Sequence, residues 1–325
     1  MTLGRRALTL AVVAIAVCLA AGLAGCTKAP PEDHRIVLGF SQIGEANEWR
    51  KANTESIKSA AATSNIDLRF ADAHQHQQEQ IAAIRQFIAQ RVDIIAFSPV
   101  VETGWDEVLR EAQAAKIPVI LADRAVATDS SLYAGFIGSD FAEEGRKAAR
   151  LVLERYQNAP GGVNIIQLEG TVGAAPAISR KKGFEEIIAT EPRFKIIHSR
   201  DADFIRPKGK EVMMEILEVE KRPIHAVYAH NDDMALGAIE ALENRGLKPG
   251  SDIYIVSIDA VRSAFEALIA GTLNATIECN PLLGPQLMTA VTEVMAGHPI
   301  PKRMLVEEAV FTAETARQLI QNRKY

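Results

Sequence analysis

Short apolar runs rich in Ile and Val alternate with longer stretches of helical periodicity from Arg35 onward, and this alternation restricts the fold more than any other feature of the sequence. The first four apolar runs cover residues 36–40, 66–70, 93–97 and 117–121. Between the runs, apolar residues recur at the spacing of one helix face. This order is typical of parallel strands joined by crossover helices, with both faces of the sheet covered. We therefore predict an α/β fold.

A second series of the same kind starts near Asp140. Its apolar runs cover residues 163–168, 194–197, 225–229 and 253–258, and a helical stretch separates each from the next. About ten strands in all are too many for one doubly wound sheet of ordinary size. The length of 325 residues has room for two domains. The sequence therefore predicts two α/β domains, with the first crossover between them near residues 136–140.

The N-terminal residues have the pattern of an export signal. Arg5 and Arg6 precede an uncharged apolar run over residues 7–24. The end of this run, Leu23-Ala24-Gly25-Cys26, resembles the lipobox of bacterial lipoproteins, in which cleavage precedes the cysteine and its thiol carries lipid. An uncleaved membrane anchor is the alternative, because a run of this length could just span a bilayer.

The three cysteines depend on that cleavage. It would discard residues 1–25 with Cys18, and residues 26–34 would form a lipidated tether beginning at Cys26. Cys279 would then be the one cysteine left in the folded part, so we expect no intramolecular disulfide. A lone free cysteine is more often a small buried residue than a nucleophile. About 300 residues can bury a sufficient core without disulfides.

Composition and charge exclude several functional classes. The 36 Lys+Arg and 41 Asp+Glu give a formal net charge of -5, which offers no electrostatic reason to expect nucleic acid as a partner. With 48% hydrophobic residues the chain is not intrinsically disordered. His74 and His76 have metal-ligand chemistry, but no third ligand is near them in sequence, so we expect them on the surface. We predict neither a metal site nor a cofactor.

Polar residues follow several predicted strands, and ligands of open α/β sheets bind beyond the carboxyl ends of the strands. Asp123 and Arg124 follow the fourth strand. A carboxylate accepts hydrogen bonds from adjacent hydroxyls and a guanidinium donates several, so the pair suits a polyol. A solvated turn or an internal ion pair is the alternative.

Trp49 and Arg50 lie near the start of the first predicted helix. The indole could cover the C–H face of a sugar while the guanidinium donates to its oxygens. Core packing is the alternative for Trp49, and we assign Trp105 to the core.

Several segments of the chain together resemble a known family. They are residues 39–42, 48–50, 98–105, 121–124, 167–174, 180–184, 202–204, 208–213, 228–234 and 257–259. In this order they resemble the periplasmic galactofuranose-binding proteins. More distantly, the chain is similar to the ribose-binding proteins of the type I sugar-binding family that serves ABC importers.

The resemblance implies a fold and a function. The fold is that of type I periplasmic binding proteins, with two Rossmann-like doubly wound domains joined by a three-segment hinge. The N-terminal lobe would comprise 35–138, with about 280–308 returning to it, and the C-terminal lobe 139–279 with about 309–325. A lipid-anchored monomer on the periplasmic or extracellular face of a bacterial membrane would capture a galactofuranose-like monosaccharide by hinge closure. It would then deliver the sugar to the permease of an ABC importer.

The resemblance also assigns site residues. It places Trp49, Arg50, Asp123 and Arg124 in the N-lobe half of the sugar site, Arg180, Asn231 and Asp259 in the C-lobe half, and Asn47 and Phe204 as secondary contacts. One departure concerns the residues before Trp49. The galactofuranose-type pattern has Ser-Glu-Ser-Gly there, whereas this chain has Glu45-Ala46-Asn47-Glu48. Because the carboxylate is absent at Ala46, the identity of the sugar stays open.

Three other functions are alternatives to transport. A sensor subunit read by a chemoreceptor or a histidine kinase would have the same binding site, and genomic neighbours would distinguish the two. A sugar-responsive transcription regulator shares the fold, but an export signal stands here in place of an N-terminal helix-turn-helix. An enzyme is disfavoured because the candidate residues include no activated nucleophile and no metal constellation.

Overall fold

Two six-stranded sheets organise the chain in the computed structural model, which describes residues 35–325. The predicted signal at 1–25, the tether at 26–34 and the lipidation site Cys26 lie outside the described residues. Within residues 35–325, no helix combines the length and the apolar composition needed to cross a membrane.

The first sheet contains β1 (Val37–Gln42), β2 (Asp67–Asp72), β3 (Ile94–Phe97), β4 (Val119–Ala122), β5 (Gly135–Gly138) and β11 (Arg303–Leu305). Its strand order is β11-β5-β4-β3-β1-β2, and every pair is parallel. The second sheet contains β6 (Val163–Glu169), β7 (Phe194–Asp201), β8 (Ala226–Ala229), β9 (Tyr254–Asp259), β10 (Ala275–Glu278) and β12 (Val310–Thr312). Its order is β12-β10-β9-β8-β6-β7, with only β12 antiparallel to its neighbour.

Helices connect these strands. They are α1 (Glu48–Thr63), α2 (Gln77–Ala89), α3 (Asp106–Ala114), α4 (Phe141–Tyr156), α5 (Ala175–Ile188), α6 (Arg206–Val219), α7 (Asp232–Asn244), α8 (Arg262–Ala270), α9 (Gly284–Met295) and α10 (Ala313–Leu319), with short 3-10 turns at Ser130–Leu132 and Ile320–Asn322. The predicted α/β class and the two doubly wound domains are confirmed. The eight apolar runs became β1–β4 and β6–β9.

The first sheet is buried on both faces, which explains its continuous apolar strands. Along β3, Ile94 packs into the cluster that contains α1 and α9 residues, whereas Ile95 packs into the cluster that contains α2 and α3 residues. Successive side chains of a strand point to opposite faces, so each strand contributes side chains to both clusters. Helices cover the two faces and leave the carboxyl edge of the sheet free to form a site.

The chain passes between the two sheets three times, as the predicted three-segment hinge requires. The passages lie after β5, after β10, and between β11 and β12. We call the first sheet with its helices the N-lobe and the second sheet with its helices the C-lobe. The predicted residue bounds of the lobes stay a prediction.

Candidate functional site

All nine predicted contact residues lie around one cavity between the carboxyl edges of the two sheets. The cavity has an empty volume of about 300 Å³, which includes space open to solvent. Its lining residues are Asn47, Trp49, Arg50, Asp123, Arg124, Phe141, Pro176, Arg180, Phe204, Asn231, Asp259 and Cys279. Both lobes contribute to it, so the site exists only when they face each other.

Asp123 follows β4 and accepts hydrogen bonds from the N-lobe wall of the cavity. Its Oδ2 accepts from Arg50 Nη2 at 2.6 Å and from Ser98 Oγ at 3.2 Å. The internal ion pair considered as an alternative does form, but with Arg50; Arg124 Nε is 3.9 Å from the same oxygen. Both of these hydrogen bonds use Oδ2, so Oδ1 remains an acceptor for a ligand.

Arg124 is buried, and only part of its guanidinium is hydrogen-bonded. Its Nη1 donates to the Val100 carbonyl at 2.9 Å, while Nε is buried without a partner. Burial lowers the pKa of Arg124 to about 9, and the nearby positive charge of Arg50 acts in the same direction. An unpartnered buried donor is costly, so a ligand oxygen beside this guanidinium would be favourable.

Trp49 has both of the roles that the sequence left open: it lines the cavity and it packs in a hydrophobic core. Its ring lines the cavity and is only 4% exposed, and it packs into the hydrophobic cluster of the C-lobe. The indole Nε1 donates to the Cys279 carbonyl at 2.5 Å. The Arg50 guanidinium lies 4.5 Å from the centroid of the Trp49 ring. Trp49 is therefore an N-lobe residue that is anchored in the C-lobe.

Arg180 on α5 forms the C-lobe counterpart of Arg50. Its Nε donates to Glu144 Oε2 at 2.6 Å and its Nη1 to the His230 carbonyl at 2.7 Å. Nη2 is 3.7 Å from Asp259 Oδ1. Burial raises the pKa of Asp259 well above its ordinary value, against the effect of Arg180. Because the separation from Arg180 exceeds hydrogen-bond distance, the Asp259 carboxyl is the group in this half to which a ligand hydroxyl can bond.

The two asparagines occupy equivalent positions in the two lobes. Asn47 caps α1 by accepting from Arg50 N at 2.8 Å, and Asn231 caps α7 by accepting from Met234 N at 3.0 Å. Both side chains donate to the Phe204 carbonyl at 3.3 Å. An N-cap amide thus fixes the start of each helix and holds the Phe204 loop between the lobes.

Three cavity residues have an unusual backbone conformation. The φ angles of Asp123, Phe204 and Asp259 are 66°, 62° and 122°. Residues with a side chain rarely adopt positive φ, and those that do cluster at ligand sites. The conformation turns each side chain from its strand end or loop toward the cavity.

The lobes are closed on the cavity. Besides the bond from Asn47 to Phe204, Ser263 Oγ donates to Glu48 Oε2 at 3.0 Å, and the amide of Glu102 donates to the Gly173 carbonyl at 2.9 Å. These contacts join the lobes on different sides of the cavity. Hydrogen bonds between the lobes thus hold the two halves of the cavity together.

Three lining residues were absent from the predicted set: Phe141, Pro176 and Cys279. Phe141 lies just after β5 and Cys279 directly after β10. The rule that ligands bind beyond strand ends would have found these two, but β5 and β10 were not among the predicted runs. They were missed because their sequences, Gly-Phe-Ile-Gly and Ala-Thr-Ile-Glu, contain no continuous run of large apolar side chains.

Other residues singled out in the sequence lie elsewhere. His74 and His76 are exposed beside Glu79 on the surface. Trp105 is fully buried, with its ring 5.0 Å from that of Phe97.

Within residues 35–325, one group of potential metal ligands converges at the hinge: Glu144, Cys279 and Glu308, whose ligand atoms lie within 4.8 Å of one another. The guanidinium of Arg180 already neutralises Glu144, which disfavours a cation there.

Comparison with known proteins places this geometry in a family. The sequence model of the family described as periplasmic binding protein domain matches residues 38–298 of this chain. The galactofuranose-binding protein of Escherichia coli is 41% identical over 293 residues, which cover 89% of this chain and 92% of the relative.

Two solved structures have the same fold over most of their length. A Mycobacterium smegmatis protein in complex with β-D-fucofuranose is 52% identical, with a TM-score of 0.87 over 89% of this chain and 95% of that one. The periplasmic component of the arabinose ABC transporter of Shewanella, bound to α- and β-L-arabinofuranose, is 46% identical, with a TM-score of 0.85 over the same shares. The Escherichia coli relative and the Shewanella protein are named as binding proteins. The chain therefore belongs to the periplasmic binding protein domain family and is a binding protein, not an enzyme.

Proposed function

We propose that the protein captures a monosaccharide in its furanose form outside the cytoplasm and delivers it to an ABC sugar importer. The cavity between the lobes carries this proposal. Its five charged residues are each at most 7% exposed: Arg50, Asp123, Arg124, Arg180 and Asp259. Arg50 is paired with Asp123, and Arg180 with Glu144 behind the cavity wall, which leaves Arg124 and Asp259 as one cation and one carboxyl group. The cavity therefore favours a neutral ligand with many hydroxyl groups. The relatives bound to fucofuranose and arabinofuranose support a furanose.

Hinge closure is the proposed mechanism. Asp123 and Arg124 would bind one side of the sugar from the N-lobe, and Arg180 and Asp259 the other side from the C-lobe. A ligand shifts a protein toward the closed form only by its higher affinity for that form. Because the polar groups come from both lobes, an open form offers each half alone and binds more weakly.

Membrane attachment and domain bounds are parts of the same proposal. The lipobox sequence supports lipidation of Cys26 after removal of 1–25, and 26–34 would then be the tether to the membrane. The sheet membership of the strands supports an N-lobe of 35–138 with about 280–308 and a C-lobe of 139–279 with about 309–325. The Shewanella relative, a component of an ABC transporter, supports delivery to a permease.

Calorimetry with L-arabinose, D-galactose, D-fucose and D-ribose tests the proposed function. At least one of these sugars should bind with a dissociation constant near 1 μM or below, which corresponds to about −8 kcal/mol. The Arg124→Ala variant should bind at least about 100-fold more weakly, because hydrogen bonds to a charged group are worth roughly 1.5–3 kcal/mol each.

Arg110→Ala is the matched control, since Arg110 is exposed on α3 away from the cavity. It should bind like the unmodified protein. Absence of heat with every sugar would refute the proposal. Equal affinities of the two arginine variants would remove Arg124 from the site.

A further inference from the structure

A second cavity lies against the first. The two cavities are of comparable size, with empty volumes of about 400 Å³ for the second and about 300 Å³ for the cavity assigned to the sugar ring, both including space open to solvent. Asn47, Arg50, Arg124 and Phe204 line both cavities. The two spaces are therefore adjacent across these four residues, and a ligand held by Arg124 in the first cavity lies next to the second.

The second cavity also combines residues from both lobes. Its remaining lining residues are Ile43, Gly44, Ala46, Gln75 and Val100 from the N-lobe and Thr171 and Asp203 from the C-lobe. Ala46 and Gln75 are exposed, so this space reaches the solvent, whereas the charged residues of the first cavity are buried. Bulk attached to the sugar on this side would have space that extends to the solvent.

The chemistry of the lining favours an uncharged, hydroxylated group. Its charged lining residues are Arg50, Arg124 and Asp203, and Arg50 is already paired at 2.6 Å with Asp123 of the first cavity. One cation and one carboxylate remain, so an ionic group gains no net attraction. Gln75, Asn47 and Asp203 offer acceptors and donors for hydroxyl groups. The small side chain of Ala46 leaves the space open beside them.

We propose that the second cavity is a subsite for a second sugar unit, so that the protein also binds neutral furanose-linked disaccharides. The inference rests on the proposed function, because it presupposes a sugar ring in the first cavity. The second cavity is comparable in size to the first and opens to solvent at Ala46 and Gln75, so a second unit can extend outward from it. A disaccharide would place one ring among the arginines and the other between Ala46 and Asp203.

Calorimetry with two matched pairs tests the subsite: L-arabinose with arabinobiose, and D-galactose with galactofuranobiose. For at least one pair, the unmodified protein should bind the disaccharide within about tenfold of the monosaccharide or more tightly. Ala46→Trp fills the second cavity and should weaken the disaccharide at least about tenfold more than the monosaccharide, as expected for one or two lost hydrogen bonds.

Ala62→Trp is the matched control, because Ala62 is an exposed alanine on α1 away from both cavities. It should leave the ratio of the two affinities unchanged. Asp203→Asn gives a second measurement that does not depend on bulk. Asparagine tolerates the φ of 56° at this position, and the loss of the carboxylate should weaken the disaccharide more than the monosaccharide.

The outcomes separate the two proposals. If both monosaccharides bind but both disaccharides bind more than about tenfold more weakly, or if Ala46→Trp affects both members of a pair equally, the subsite is refuted and the sugar site stands. If no sugar binds the unmodified protein, the proposed function fails and the subsite fails with it.

Discussion

The three arginines of the cavity differ in how closely a carboxylate neutralises their positive charge. Arg50 is paired with Asp123 at 2.6 Å and Arg180 with Glu144 at 2.6 Å. Arg124 has only a carbonyl at hydrogen-bond distance and a carboxylate at 3.9 Å. Arg50 and Arg180 are therefore held in place by their ion pairs. Arg124 still has an N–H group that can donate to a ligand.

Residue patterns predicted which side chains face the cavity, but not these partners. Asp123 and Arg124 are adjacent in sequence, and a local ion pair between them was the natural alternative. The backbone of Asp123, with a φ of 66°, turns its carboxylate toward Arg50 on α1 instead. Such a pairing depends on how α1 packs beside β3 and β4, which the sequence around Asp123 does not encode.

Glu308 is a second residue with an unusual environment, and it supports a prediction of pH dependence. It lies at the third passage between the lobes, with one carboxyl oxygen buried and unpartnered. Burial, then the charge of Glu144, raises its pKa to about 9, against the effects of Ser139, Arg180 and Lys147. The folded protein thus holds a proton that the unfolded chain releases near its ordinary value of 4.5.

The sign of the effect follows from proton binding. Between about pH 5 and pH 9 the folded state binds more protons than the unfolded state, so the Glu308 contribution to stability falls as the pH rises. Glu308→Gln is neutral at every pH and should lose this part of the slope, becoming more stable than the unmodified protein near pH 9 by at least about 1 kcal/mol. Urea unfolding followed by tryptophan fluorescence across this range measures it. Glu307→Gln, at an exposed neighbour, should keep the original profile; identical profiles for Glu308→Gln and the unmodified protein would contradict the assignment.

At the scale of elements, a close helix crossing positions the C-lobe half of the site. A Cβ atom at Gly145 on α4 would overlap the carbonyl oxygen of Arg180 on α5, and one at Gly183 would overlap the carbonyl oxygen of Ala142. Only glycine permits this approach of two backbones. The crossing brings Arg180 to Glu144 and thereby sets where the guanidinium points.

Gly145→Ala tests the crossing. In an unhindered helix this change would stabilise by about 0.5–1 kcal/mol, but here overpacking of the backbone contact should cost roughly 1–3 kcal/mol. We expect net destabilisation in urea unfolding and weaker sugar binding, because α5 moves and carries Arg180 with it. Gly162→Ala is the control, since its Cβ would lie 3.5 Å from the nearest heavy atom, the Arg193 carbonyl oxygen. A Gly145→Ala protein as stable as the unmodified one would show that the helices separate without cost.

Strands with a continuous apolar run were predictable whatever their length, and strands without such a run were not. The strands β1–β4 and β6–β9 follow from apolar runs flanked by helical periodicity. The strands β11 and β12 have three residues each and carry exposed side chains, so they have no apolar signal of their own. They form because the hinge places them beside β5 and β10, whose edges supply the hydrogen-bonding partners.

At the scale of the whole molecule, the closed arrangement buries groups that hinge opening would expose. Cys279 lies at the second passage and lines the cavity, yet its side chain is only 2% exposed. Burial raises the pKa of the Cys279 thiol well above its ordinary value. Reaction with a thiol reagent therefore requires opening of the lobes.

Sugar binding should protect Cys279. At saturating sugar, the rate of its modification by a maleimide should fall at least about tenfold, because a ligand that favours the closed form reduces the open population. Mass spectrometry of the peptide containing Cys279 measures the rate. Arg124→Ala should show no protection at the same sugar concentration. An equal rate with and without sugar would mean that the lobes do not close on the ligand.

The sequence by itself determined the α/β class, the two domains and the nine residues around the cavity. These follow from local periodicity, from the rule on strand ends and from an ordered resemblance to a family. Only the tertiary structure decided the partner of each arginine, the closed contact of the lobes, the second cavity beside Ala46 and the hinge carboxyl of Glu308. The physical reason is distance along the chain: each of these features depends on atoms brought within a few ångströms from segments far apart in sequence, and local patterns carry no information on that approach.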